Sequence, residues 1–260
     1  MWCDFATGEG GDALGLVSAV LRLGTREALS WSRRWLGLDD ERTELPQRRR
    51  QVPKAPEPST DPDRWKYPWQ PAGPIVSTLA ETYFAARGLR FNDPEGDILR
   101  FSPRRARRNP DRQLEHHPAL LALLRDWRTG EPCGLINVYL LRDGRDRVRD
   151  KKGKTVTGRA KGGVVMLDDF AEVTMGLTVC EGVETGIAIH QSGLRPVWAL
   201  GGAPNVKNFS VLGGIEALTI AADTGKAGQE AAATLAKRWR SAGREVRIVT
   251  PSAGDWADPK

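Results

Sequence analysis

Two apolar runs, each ending on an acid with glycine close behind, constrain the fold of this chain more than any other feature. The first is Leu177-Thr-Val-Cys-Glu181-Gly-Val-Glu184-Thr, and the second is Leu218-Thr-Ile-Ala-Ala-Asp223-Thr-Gly-Lys-Ala-Gly228. They lie roughly forty residues apart, the span of one helix–strand crossover and a loop. Each reads as a buried parallel strand with a carboxylate at its carboxyl end and a helix after it. In open α/β sheets that edge is where ligands collect.

The surrounding pattern fits the same architecture. Residues 177–180 read as a strand, 184–191 as a helix closed by Gly193, and 196–200 as a strand running into Gly201-Gly202. A strand at 217–222, a long helix at 227–241 ended by Gly243, and a last strand at 245–250 follow. Strands separated by helices imply an α/β domain, here 171–260, with a mostly parallel sheet flanked by helices.

Upstream, residues 75–170 read as a smaller α+β region rich in arginine. Ser77 is positioned to cap a helix running to Arg87 and stopped by Gly88. Strands are expected at 98–101, 134–141 and 164–167, with a strand or short helix at 119–127, and Arg142-Asp143-Gly144 signals a hairpin turn. From 39 to 74 prolines recur among charges, with Arg48-Arg49-Arg50 between them. Such a stretch cannot bury enough apolar area to offset its ordering entropy, so a disordered linker is expected, with Trp65, Tyr67 and Trp69 docking locally. Residues 1–38 open on a glycine-rich turn, followed by a helix at 13–23 and a second capped by Thr25, where Ala28, Leu29, Trp31, Trp35 and Leu36 recur at near-helical spacing.

Composition bounds the partners. Of 260 residues 40% are hydrophobic, enough for a core, and the formal charge of +6 favours a polyanionic partner. Cys3, Cys133 and Cys180 are too few and too scattered for a disulfide framework or a zinc site. No apolar run approaches the ~18 residues of a membrane span, and the N-terminus lacks a signal-peptide pattern. A cytoplasmic protein with no membrane partner is expected.

The acids carry the chemistry. Glu181 and Asp223, with no competing His or Cys cluster, suit Mg²⁺ (or Mn²⁺) shared with substrate phosphates. The alternative for each is a helix-capping or dipole role. Asp255 and Asp258 follow the final strand and either complete the acidic set or belong to a polar loop. Glu184, one helical turn after Glu181, faces the same mouth or serves the helix dipole. Gly225, Lys226 and Gly228 open a helix whose free N–H groups favour an anion; Lys226 is equally consistent with a solvated surface residue. Arg104, Arg105, Arg107 and Arg108, with Arg147, Lys151 and Lys152, form basic runs suited to a nucleic-acid backbone, or else a solvated face. His116-His117 has no matching ligand set, and Cys180 reads as a core thiol.

Taken together, Val179-Cys-Glu181-Gly-Val-Glu-Thr185, Ile220-Ala-Ala-Asp223-Thr-Gly-Lys-Ala-Gly228 and Gly254-Asp255-Trp-Ala-Asp258 resemble the Toprim domain, in particular the primase-like Toprim proteins of plasmids, phages and integrated mobile elements. Leu79-Ala-Glu-Thr-Tyr83-Phe-Ala-Ala-Arg87, His117-Pro-Ala-Leu120 and Gly130-Glu-Pro-Cys-Gly134 are similar to the region that precedes the Toprim core there. Residues 2–12 are similar to the end of a primase-type zinc ribbon, without its ligand cysteines, so no zinc is expected in this chain.

The resemblance implies a glutamate, Glu181, and the first aspartate of an Asp-x-Asp pair, Asp223, around Mg²⁺. The second aspartate falls at position 225, which is glycine. The implied activity is RNA primer synthesis by nucleotidyl transfer in replication of a mobile element. Its partners would be a single-stranded DNA template, nucleotides and a replicative helicase. A metal-dependent phosphodiester nuclease, or a non-catalytic nucleic-acid-binding module in view of Gly225, are the alternatives.

Overall fold

The computed structural model describes residues 2–3, 10–36, 61–251 and 256–257. Two compact units divide at 58/59. In the first, strands β1 (Trp2–Cys3) and β2 (Gly10–Gly11) pair antiparallel, and helices α1 (Ala13–Leu21) and α2 (Thr25–Trp35) form a hairpin. Asp12 caps α1 by accepting from the Gly15 amide at 2.8 Å. The cap of α2 is Gly24, one residue before the expected Thr25, and the Glu27 carboxylate receives the Gly24 amide in return.

The second unit begins with α3 (Lys66–Trp69), β3 (Gly73–Pro74) and α4 (Leu79–Ala86). Residues 61–74 of the stretch expected as linker are therefore folded into this unit; residues 39–60 of it lie outside the described residues. The reason is aromatic: Trp65, Trp69 and Ala72 are buried against Ala119, Leu121, Leu123 and Leu135. Helix α4 is capped by Thr78, whose hydroxyl accepts from the Ala80 amide, rather than by Ser77, which adopts φ +59°.

Four strands follow: β4 (Leu99–Arg108), β5 (Leu114–Asp126), β6 (Pro132–Tyr139) and β7 (Lys154–Gly158). Next come β8 (Gly163–Met166), β9 (Gly176–Cys180), α5 (Val183–Gln191) and β10 (Val197–Ala199). The chain ends through α6 (Ala203–Asn208), β11 (Ala217–Ala221), α7 (Lys226–Ser241) and β12 (Glu245–Val249). The arginine run 104–108 lies within β4, a strand more than twice as long as expected, hydrogen-bonded to β5.

Among the described residues β3 to β12 form one sheet in the order β12-β11-β9-β10-β8-β5-β4-β3, with β6 on β5 and β7 on β6. The pairings β12–β11, β11–β9 and β9–β10 are parallel, whereas β10–β8 and everything beyond it is antiparallel. The C-terminal part is the expected parallel α/β sheet, and β8 fuses it to the upstream antiparallel strands.

Period-two alternation decides which helix covers which face. Leu177 and Val179 of β9, with Leu218 and Ile220 of β11, pack with Leu235, Ala236 and Trp239 of α7. Cys180 and Ala221 point to the other face, beside Val183 and Ile187 of α5. That second core runs without a break into Tyr83, Phe84, Leu120 and Leu124, so the upstream region and the C-terminal sheet share it. Gly186 makes the α5 contact possible: a Cβ there would lie 2.7 Å from Leu167 and 3.2 Å from the Cys180 sulfur.

A carboxylate cleft at the ends of β9 and β11

The register of β9 on β11 pairs Cys180 with Ala221. Glu181 stands one residue beyond that pair and Asp223 two beyond its other member. Both acids therefore leave the carboxyl ends of neighbouring parallel strands, whose backbones run about 4.8 Å apart. Each backbone is held at that edge: Gly201 donates to the Glu181 carbonyl at 2.8 Å, and Ala222 donates to the Val249 carbonyl at 2.9 Å. The indole of Trp256 donates to the Ala222 carbonyl at 3.3 Å and ties the chain end to β11.

Gly228 brings the first turn of α7 onto Asp223, since a Cβ there would sit 3.3 Å from the Asp223 Cβ. Gly225 is the uncapped N-cap of that helix. Lys226 extends into solvent, 4.0 Å from Glu230 and 93% exposed. Asp255 and Asp258 lie outside the described residues.

A cleft of about 230 Å³ opens beside Glu181, lined by Gly182, Glu184, Gly201 and Gly202 and, from the upstream region, by Ile136 and Lys154. Glu184 sits at its floor and is buried. Its carboxylate accepts from the Tyr83 hydroxyl at 2.9 Å and lies 2.8 Å from the Lys154 ammonium, which also donates to its second oxygen at 2.9 Å. Burial alone would push this carboxyl upward; the adjacent Lys154 charge and the hydrogen bonds from Lys154 and Tyr83 outweigh it and hold the group at about 2. The Tyr83 hydroxyl is pushed well above its ordinary value by burial and by the Glu184 charge. Neither Lys154 nor Tyr83 is marked by local sequence. They lie 30 and 101 residues from Glu184 and meet it only through the shared core.

Cys180, the last residue of β9, lies beneath these acids. Its thiol is raised far above its ordinary value, first by burial and then by the fields of Asp223, Glu181 and Glu184. It is a core thiol, donating to the Gly182 carbonyl at 3.3 Å.

The donor set bears on a divalent ion. Among the described residues no group of three or more His, Cys, Asp or Glu side chains is arranged to hold a metal. Glu184, the third acid nearby, is already neutralised by Lys154. What remains at this edge is Glu181, which lines the cleft, and Asp223 on the neighbouring strand, carboxylates of the type that Mg²⁺ accepts beside waters and phosphate oxygens.

The basic residues divide by environment. Arg107 is buried, its guanidinium 2.7 Å from both Glu115 and Asp150, so it locks the β4–β5 strands to the loop before β7 and presents no charge to a ligand. Arg105 donates to Asn137 and Thr157, at 3.0 and 3.2 Å, and Arg147 is half-buried. Arg104, Arg108, Lys151 and Lys152 are exposed. Arg104 borders an open groove of about 1250 Å³ between α4 and the β4–β5 hairpin, with Arg142 and His116 on its other walls. His117 packs edge-on against Tyr139, 3.2 Å from Glu115.

The α/β sheet thus carries an acid just beyond the carboxyl end of each of two adjacent parallel strands. Residues 176–259 match the family described as the Toprim domain, and the C-terminal part of this chain is a Toprim domain. Residues 60–167 match a family described as a domain of unknown function, DUF7146. The chain shares its fold with a DNA primase domain from Pseudomonas aeruginosa, at a TM-score of 0.53 and 16% identity over 74% of this chain and 72% of that one. It is also similar to the DnaG primase catalytic domain bound to ssDNA, at a TM-score of 0.48 and 16% identity over 74% and 72% of the two chains. The RNA polymerase domain of Mycobacterium tuberculosis DnaG in complex with double-stranded DNA aligns at a TM-score of 0.43 and 16% identity over 75% and 71%. No curated protein matches the chain in sequence. Among the described residues no helix is long and apolar enough to cross a membrane.

Proposed function

We propose that this protein is a primase-like nucleotidyltransferase that uses the Glu181–Asp223 edge to act on Mg²⁺-bound nucleotides along a DNA template. The observation that carries the reading is the β9–β11 register, which sets both acids at one sheet edge within the Toprim segment. Glu181 and Asp223 would hold Mg²⁺ (or Mn²⁺), which supplies charge neutralisation at the phosphates when bound. The chain's own contribution is placement. The glycine turn at 201–202 lines the cleft without side chains, and Gly202, at φ +147°, adopts a backbone that other residues rarely reach. Template contact is assigned to Arg104, Arg108, Lys151 and Lys152, whose charges face solvent; mobile-element replication and a helicase partner remain part of the same proposal.

The test is primer synthesis from ribonucleotides on single-stranded DNA with Mg²⁺ or Mn²⁺. Activity is expected in the wild type and at least ~100-fold less in Glu181→Gln, the size typical of losing a charge that acts in the transition state. A specific feature favours a second reading: Gly225 stands where the resemblance places a second aspartate. A non-catalytic module would show no synthesis, and its DNA binding would be indifferent to EDTA and to Asp223→Asn. Cleavage of a labelled strand without nucleotides would instead assign the site to a nuclease.

A further inference from the structure

The cleft contains a cation that comes from outside the Toprim segment. Lys154 begins β7, within the region that precedes that segment, yet its ammonium lies against Glu184 in the first turn of α5. The pair is asymmetric in exposure. The Glu184 side chain is 7% exposed, whereas that of Lys154 is 40% exposed and borders the cleft beside Glu181. Glu184 has both oxygens occupied by Lys154 and one of them also by Tyr83. An ion bound there would have to compete with the lysine for those oxygens. Lys154 differs: an ammonium carries three donors, and the carboxylate does not use them all.

We propose that Lys154 is a phosphate-contacting residue of this cleft and that Glu184 is the residue that positions it, an assignment that rests on the nucleotide-binding reading above. A free lysine loses rotamer entropy when it is immobilised on a ligand. Here the folded protein has already met that cost, because the buried carboxylate fixes the ammonium at the cleft wall. Tyr83 supplies the carboxylate with a second donor, so Glu184 stays satisfied while Lys154 turns a remaining N–H to an incoming anion. Across the cleft, Glu181 is left for the ion that accompanies the phosphates. The two acids three residues apart thus divide the work, one facing the ion and the other a cation.

The experiment measures equilibrium binding of ATP and of inorganic tripolyphosphate, each with Mg²⁺, together with thermal midpoints. Lys154→Met alone strands a buried carboxylate and is expected to lower the midpoint or prevent folding. The double variant Lys154→Met/Glu184→Gln removes both charges from the pair. It is expected to recover the midpoint but to bind both probes roughly tenfold or more weakly than wild type, the value of one lost charge-assisted hydrogen bond. Wild-type affinity for both probes in the double variant would overturn the proposal, leaving Lys154 only to neutralise Glu184. Weakened ATP binding with unchanged tripolyphosphate binding would also overturn it, because the contact would not be to phosphate. A wild-type protein that binds neither probe would overturn the nucleotide-binding reading itself, and this assignment with it.

Discussion

Glu184 shows how a single carboxylate in this fold acquires its role from partners rather than from position. Its folded-state value of about 2 lies below the ordinary 4.5, so the group adds stability that is fully present above the ordinary value. That contribution is lost as pH falls from about 4.5 through about 2, and its size is on the order of 3 kcal/mol. In acid titrations of folding, Glu184→Gln is therefore expected to flatten the loss of stability in that window. An unchanged acid limb in this variant would show that the pair is not formed. Arg107 makes the parallel point for a basic residue. It sits in a run of arginines that reads as a nucleic-acid contact, yet its side chain is 4% exposed and paired with Glu115 and Asp150. Burial of one position in an exposed strand is invisible to composition.

At the scale of elements, Trp239 is the largest of the five buried side chains by which α7 packs on the sheet, beside Ala231, Ala232, Leu235 and Ala236. Trp239 is fully buried and stacks on Phe209 with ring centroids 5.7 Å apart, and Phe209 meets Trp127 edge-on at 5.2 Å. This aromatic column joins α7 to the turn after α6 and to the end of β5. Trp239→Ala is expected to cost roughly 3–5 kcal/mol in denaturant unfolding, the usual range for emptying such a site. A cost below about 1 kcal/mol would mean that the column collapses without α7 depending on it. Apart from the short α6, which sequence did not indicate, the helices and strands of residues 177–249 were legible because each is a local pattern: a short apolar run, then a glycine-punctuated helix. The long strands β4 and β5 were legible only in part, at 98–101 and at 119–127, where a strand could not be told from a short helix, because their remaining residues carry little apolar signal. In β4 the residues from 104 to 108 are mostly charged, and only pairing with β5 makes them a strand.

For the whole molecule, the charge of +6 matters only where it meets solvent. If Arg104, Arg108, Lys151 and Lys152 track a single strand, log affinity should fall with log salt at about −0.7 per phosphate contacted. The paired variant Lys151→Gln/Lys152→Gln is expected to make that slope shallower by roughly 1.4. An unaltered slope, measured by fluorescence anisotropy with a labelled oligonucleotide, would remove these lysines from the interface. The single core shared by the upstream region and the Toprim segment also predicts their mutual dependence. Tyr83 and Lys154 from one meet Glu184 from the other, and the Gln191 side chain of α5 bonds the Arg90 amide at 2.9 Å.

The amino-acid order alone determined the parallel α/β sheet, its flanking helices, and the acids Glu181 and Asp223 at the strand ends. Those features follow from spacing within a few residues, where apolar periodicity and glycine act locally. Only the tertiary structure decided that Lys154 and Tyr83 converge on Glu184, that Arg107 is enclosed, and that Trp65 and Trp69 belong to a core. Each of these depends on which surfaces meet across distant parts of the chain. Burying an acid or a guanidinium is tolerable only where partners of opposite charge and hydrogen-bonding capacity are brought to it by the packing.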